Sequence, residues 1–162
     1  MSEPNPRYLR MALMIANRSR EHGNPPFGAV LVSDRGRVFL EAEDTEVATH
    51  DCTGHAETNL VREASRRFPR RLLSRCTLYV NAEPCPMCAG AIFWSGVGRV
   101  VFGLSGPRLR KLTPDHPEHL FERCAEVLTR GTHRVEVFGP MIEEEAEEVF
   151  KESFGSAKTA GH

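Results

Sequence analysis

Helical and extended periodicities alternate along this chain. Leu9, Leu13 and Ala16 recur at helical spacing, with Met11 and Met14 beside them, and predict a first helix ending near Gly23. Gly28–Ser33 and Arg37–Ala42 are short apolar runs, and Asp34-Arg35-Gly36 between them has the composition of a hairpin turn. Thr53–Phe68 predicts a helix that Pro69 stops. Thr77–Val80 predicts a buried strand, Pro86–Ser95 a short helix with proline at its start, and Arg99–Gly103 a further strand. A helix is expected near Glu118–Thr129, a last strand over Arg134–Phe138 and a closing helix over Ile142–Phe154. Strands separated by helices predict an α/β sandwich around a mixed sheet.

The length of 162 residues suits one domain over 1–162, with flexible ends at 1–6 and 155–162. Net charge is −1, which speaks against a dedicated binder of long nucleic acid and for a small-molecule partner. No apolar run reaches the roughly 20 residues that span a bilayer. The first seven residues are polar, so a cytoplasmic protein without membrane contact is expected. Five cysteines, an odd number, argue against a disulfide framework and for metal or catalytic use.

Two segments carry chemistry: His55-Ala56-Glu57 and Pro84-Cys85-Pro86-Met87-Cys88. Cysteines three apart share one face of a helical turn, and a helix N-terminus favours the thiolate. One histidine and two thiolates make three protein ligands. A structural zinc site closes with four, whereas a catalytic one keeps a position for water. Cys52, Cys76 and Cys124 have no partner at ligand spacing. Two thiolates cancel the charge of Zn²⁺, so a nearby base is useful, and Glu57 is the candidate to take the proton of a metal-bound water and pass it to the reacting group.

The His-x-Glu and Pro-Cys-x-x-Cys pair is the signature of zinc deaminases. Through Pro26-Phe27-Gly28-Ala29-Val30, His55-Ala56-Glu57 and Glu83-Pro84-Cys85-Pro86-Met87-Cys88-Ala89-Gly90-Ala91-Ile92 the sequence resembles the cytidine deaminase-like superfamily. Within it the chain looks most like bacterial guanine deaminases and related free-base deaminases. The resemblance implies a three-layer α/β/α sandwich around a mixed five-stranded sheet, a homodimer, zinc as cofactor, and hydrolytic release of ammonia from an amidine-like carbon. It makes Phe27, Asp44, Ala56 and Glu83 candidate substrate-binding residues. Phe27 stands equally for stacking on a ring and for core packing, and Glu83 also for support of the metal loop. Trp94 is expected to pack.

The chain departs from the family pattern at Asp44. Many relatives carry an asparagine eleven residues before the zinc histidine, where its amide holds the base. An ionised carboxylate only accepts hydrogen bonds. Asp44 in the pocket would favour an amino-rich ring edge with N–H groups, such as guanine, an aminotriazine or another aminopyrimidine; in a shifted loop it has no such role. Gly139–Ala146 resembles the end of some guanine deaminases, where a second glutamate transfers protons. Glu143 is the candidate, with Glu144 behind it; the alternative is that these acids complement a helix dipole.

Competing functions remain open. A tRNA adenosine deaminase shares the motif, but Leu104–Lys111 lacks that enzyme's usual basic pattern. A cytidine or guanosine deaminase shares it too. A purely structural zinc module is disfavoured by three ligands and an adjacent acid.

Overall fold

The computed structural model describes residues 1–159. The elements run α1 (Pro6–Glu21), β1 (Gly28–Val32), β2 (Val38–Glu43), α2 (Glu46–Thr49), α3 (Ala56–Arg67), α4 (Arg70–Leu73) and β3 (Thr77–Ala82). They continue with α5 (Pro86–Ser95), β4 (Arg99–Leu104), α6 (Gly106–Leu112), α7 (Cys124–Thr129), β5 (Glu136–Phe138) and α8 (Glu143–Thr159). The sheet order is β2-β1-β3-β4-β5. β1 is antiparallel to β2 and β3, while β3, β4 and β5 are parallel, so the sheet is mixed. This is the mixed five-stranded sheet between helices that the resemblance implies.

Strand alternation divides the core. Ala29, Leu31, Leu78, Val80, Val100 and Phe102 pack with Leu60, Ala64, Ile92 and Leu128 of α3, α5 and α7. Val30, Val32, Tyr79 and Val101 pack on the other face with Leu9, Ala12 and Ile15 of α1. Ala82 and Leu104 continue that face towards α8, against Ala146, Val149 and Phe150. Every residue of β1, β3 and β4 is therefore buried, as expected of strands covered on both sides. Burying each such Leu or Phe side chain contributes about 1.5–3 kcal/mol.

α1 lies directly on the start of β1. A Cβ on Gly28 would stand 2.5 Å from the Ala12 carbonyl oxygen and 2.6 Å from the Ala16 nitrogen. Asn81, fully buried in β3, fixes the same strand start: its Oδ1 accepts the Gly28 N–H at 2.9 Å and its Nδ2 donates to the Pro26 carbonyl at 2.9 Å.

Several boundaries differ from expectation. The helix expected from Thr53 starts at Ala56, because His55 has extended backbone and serves as N-cap. The helix expected from Glu118 starts only at Cys124, whose N–H is taken by the Glu83 carboxylate at 2.9 Å. α2, α4 and α6 were not anticipated; two of them have four residues, too short to show a period. The N-terminus is tied rather than loose. Asn5 caps α1 and donates its backbone N–H to the Tyr79 hydroxyl at 3.2 Å, and Arg99 donates to the Ser2 carbonyl. The closing helix does not stop at Phe154 but runs to Thr159, and 160–162 of the expected flexible end lie outside the described residues. Trp94, expected to pack, is 77% exposed and touches Phe93 edge-on. Among the described residues no helix is long and apolar enough to cross a membrane.

Candidate active site

Two helix N-termini meet beyond the carboxyl end of β3, the end of an α/β sheet where ligands usually bind. His55 is the N-cap of α3, and Cys85 the N-cap of α5 with Pro86 in its first turn. Cys88 lies within that first turn, which brings both sulfurs round to the imidazole. His55 Nδ1 is 3.3 Å from Cys88 Sγ and 3.6 Å from Cys85 Sγ. The three donor atoms lie within 4.8 Å of one another.

The donor set fits zinc. Bonds of about 2.0–2.1 Å to nitrogen and about 2.3 Å to sulfur, at tetrahedral angles, set N···S separations of roughly 3.6 Å. The observed distances match without rearrangement. Soft thiolates with one imidazole also select zinc over magnesium or calcium. His55, Cys85 and Cys88 thus form a possible zinc site with three protein donors.

Without metal the three groups share protons. A hydrogen bond from Cys88, aided by one from His55 and opposed by burial, holds the Cys85 thiol down to about 4. The same contact with Cys85 pushes His55 up to about 9 against the effect of burial. Cys88 moves strongly upward, since the Cys85 thiolate takes its proton in a hydrogen bond. Zinc binding must displace these protons.

Glu57 is 4% exposed, in the first turn of α3. Burial, reinforced by the neighbouring Cys85 charge, pushes its carboxyl up to about 7. Cys124 is buried nearby, within reach of the charges of Glu57 and Cys85, and burial pushes its thiol up to about 12.

The other sequence candidates separate. Asp44 is 1% exposed; its Oδ1 accepts the Glu46 N–H at 2.9 Å and its Oδ2 is buried with no hydrogen-bond partner. Carboxylate oxygens of Asp44 and Glu46 and a ring nitrogen of His55 form a second close group. Asp44 therefore does border the metal histidine. Ala56 is fully buried beside it, in the core.

Phe27 does not stand free for stacking. It is half-buried and packs on Phe150, with centroids 5.4 Å apart, so the core alternative describes it. Glu83 is a staple rather than a substrate group. Its Oε1 accepts from Cys124 N–H and Arg123 Nε, and its Oε2 accepts the Gly106 N–H at 2.8 Å. Glu143 is likewise engaged elsewhere than expected. Its Oε1 accepts from the Ser105 amide and hydroxyl at 3.1 and 2.7 Å, and its Oε2 faces Arg108 at 3.5 Å. Both carboxylates secure the start of α6.

Glu46 escaped the sequence reading, although Asp44-Thr45-Glu46 carried a signal: an Asp side chain commonly binds the N–H two residues on. Asn59 escaped it too; its Nδ2 donates to the Glu43 carbonyl and to Thr45 Oγ1. Two cavities, of about 330 and 450 Å³, lie at the opposite end of the sheet; the larger is lined by Thr77 and Arg99, and neither holds the ligand cluster.

The sequence model of the cytidine and deoxycytidylate deaminase zinc-binding region matches residues 2–104. A probable cytosine deaminase of Schizosaccharomyces pombe is 42% identical over 148 residues, covering 90% of each chain. A tRNA-specific adenosine deaminase of Haemophilus influenzae is 39% identical over 104 residues, 64% of this chain and 60% of that one. The solved guanine deaminase of Nitrosomonas europaea has the same fold, with a TM-score of 0.75 at 21% identity over 96% of this chain and 87% of that one. The stretch matched by the family model contains His55, Glu57, Cys85 and Cys88. The chain belongs to the zinc-binding cytidine and deoxycytidylate deaminase family and is a hydrolytic deaminase.

Proposed function

We propose that this protein deaminates a free nucleobase or a similar amino-substituted heteroaromatic ring, with water as co-substrate and ammonia as product. The observation that carries the proposal is the convergence of His55, Cys85 and Cys88 at zinc-ligand separations beside the buried carboxylate of Glu57. Zinc held by those three residues supplies Lewis acidity that makes water a nucleophile near neutral pH.

The remaining work belongs to the chain. Glu57 receives the proton of the attacking water and delivers it to the ring nitrogen; it then takes the second proton from the hydroxyl added at the ring carbon and passes it to the departing amine, so that the carbon–nitrogen bond breaks as the product carbonyl forms. Its burial keeps bulk water from intercepting that proton. The N-termini of α3 and α5 present positive dipole ends to the thiolates and favour their charged form. Asp44 Oδ2, an acceptor without a partner, binds a ring edge that carries N–H groups. Glu143 enters no step, because Ser105 and Arg108 engage its carboxylate.

A free base is favoured over tRNA because similarity to the probable cytosine deaminase extends across 90% of both chains, whereas the tRNA-specific relative matches over 60–64%. The near-neutral charge agrees with a small substrate. A single deaminase domain over 1–162, a homodimer and a cytoplasmic location belong to this proposal. The test is ammonia release from zinc-loaded protein across guanine, cytosine, aminotriazines, their nucleosides and tRNA. Turnover of bases supports the proposal. Turnover of tRNA or nucleosides alone overturns the free-base assignment, and no release from any of them overturns the ring class.

A further inference from the structure

His55 has two ring nitrogens, and the zinc site uses one. Nδ1 faces the sulfurs of Cys88 and Cys85. A nitrogen that binds zinc cannot keep its proton, so the neutral ring carries its hydrogen on Nε2. Nε2 points the other way, towards Glu46, whose Oε2 lies 3.6 Å off. The two side chains are only 29% and 31% exposed.

We propose that Glu46 is a positioning residue for the zinc site: its carboxylate accepts the Nε2 proton of His55, fixes the ring orientation and selects the tautomer that leaves Nδ1 free for the metal. This rests on the zinc reading of His55, Cys85 and Cys88. The present 3.6 Å is an ion-pair separation and longer than a hydrogen bond. A shift of less than an ångström in a side chain with three rotatable bonds closes it.

The surrounding segment is built to hold Glu46 there. α2 has four residues, and a helix that short is not stable alone. Bonds from outside it supply what its own length cannot. Asp44 Oδ1 takes the Glu46 N–H at 2.9 Å, and Asn24 Oδ1 takes the Ala48 N–H at 3.0 Å. The Thr45 N–H donates to the Gly54 carbonyl at 2.8 Å, joining the start of α2 to the residue just before His55. A Cβ on Gly54 would meet Thr45 Oγ1 at 2.9 Å and the Glu46 nitrogen at 3.3 Å, so the two ends of the loop are in close contact. The distance from Glu46 to His55 is therefore set by a closed, hydrogen-bonded loop rather than by two free side chains. An ordinary surface ion pair has no such frame and contributes little.

Losing a carboxylate behind a metal-bound histidine typically costs about 10–100-fold in metal affinity or activity. The test follows zinc transfer to a chromophoric chelator from the full-length zinc-loaded chain, for wild type, Glu46→Ala, Glu46→Gln and Val47→Ala. Val47 is an exposed neighbour in the same short helix and controls for damage to α2. The expected result is zinc release about 10–100-fold more readily from Glu46→Ala. Glu46→Gln, which keeps an acceptor oxygen, should recover most of the difference, and Val47→Ala should match wild type. In the wild type, nitrogen NMR should show His55 protonated on Nε2 with slow proton exchange.

Equal zinc retention by wild type and Glu46→Ala overturns the proposal. Equal zinc loss by Glu46→Ala and Val47→Ala also overturns it, since the helix and not the carboxylate would matter. If Glu46→Ala does not fold, the wild-type spectrum decides: an Nε2 proton exchanging like that of a free imidazole overturns the proposal. A wild type that takes up no zinc instead overturns the zinc reading itself, a different and recognisable failure.

Discussion

Asp44 accepts the backbone N–H of Glu46 on one carboxylate oxygen and leaves the other buried without a partner. The first bond shapes the loop; the second oxygen is a vacant acceptor beside the metal histidine. Asp44→Asn keeps an oxygen for Glu46 and can place an N–H₂ donor where the vacant acceptor was. The ranking of substrates should therefore shift from rings that present N–H to rings that present a carbonyl or bare nitrogen. One mismatched buried partner costs about 1–3 kcal/mol, so relative kcat/KM values should move by roughly 5–150-fold. A panel assay with an unchanged ranking would remove Asp44 from recognition.

The same residue sets a pH dependence of stability. Burial pushes its carboxyl up to about 7, outweighing the hydrogen bond from the Glu46 amide that pulls it down. An acid whose folded pKa is raised binds its proton more tightly in the native state than in the unfolded chain. It opposes folding progressively as pH rises from about 4 through about 7. Asp44→Asn removes that effect. In urea titrations of zinc-loaded protein the variant should gain on the wild type between about pH 4 and about pH 7. A constant difference across that window contradicts the assignment.

Glu57 is expected to matter for chemistry and not for metal. Glu57→Gln preserves volume and burial but cannot carry the proton. Turnover should fall about 10²–10⁴-fold while zinc content stays at the wild-type level. Retained turnover would require another base.

Metal removal should expose one particular thiol of the site. Without zinc, hydrogen bonds from Cys88 and His55 keep the Cys85 thiol low, at about 4, whereas burial raises Cys76 and Cys124 to about 11 and about 12. Iodoacetamide at neutral pH should modify Cys85 and the exposed Cys52 in zinc-stripped protein, and leave Cys76 and Cys124 intact. Zinc should protect Cys85 and not Cys52. Peptide mapping reads this directly, and alkylation of Cys85 at the same rate with zinc bound would exclude it as a ligand.

Glu83 and Glu143 should separate from the catalytic residues. Glu83→Ala strands the amides of Gly106 and Cys124, and unsatisfied buried donors cost about 1–3 kcal/mol each. The melting temperature should drop, and zinc should be held less firmly because Cys85 follows two residues later. Glu143→Gln keeps an oxygen for Ser105, so turnover should stay at the wild-type level. A large loss of kcat in Glu143→Gln with normal stability would restore it to the mechanism.

The sequence by itself determined the alternation of helices and strands, the location of the buried strands and the identity of His55, Glu57, Cys85 and Cys88. Those features are local: periodicity decides which face is buried, and cysteines three apart share a helical face whatever surrounds them. What only the tertiary structure decided is the partnership of groups distant along the chain. A glutamate in sequence is one symbol, whether it meets three donors as Glu83 does, a serine as Glu143 does, or an imidazole as Glu46 does. Likewise Phe27 became core only when Phe150 arrived from the last helix. A carboxylate's role depends on which hydrogen-bond donors fill its shell, and those donors come from elements brought together by packing.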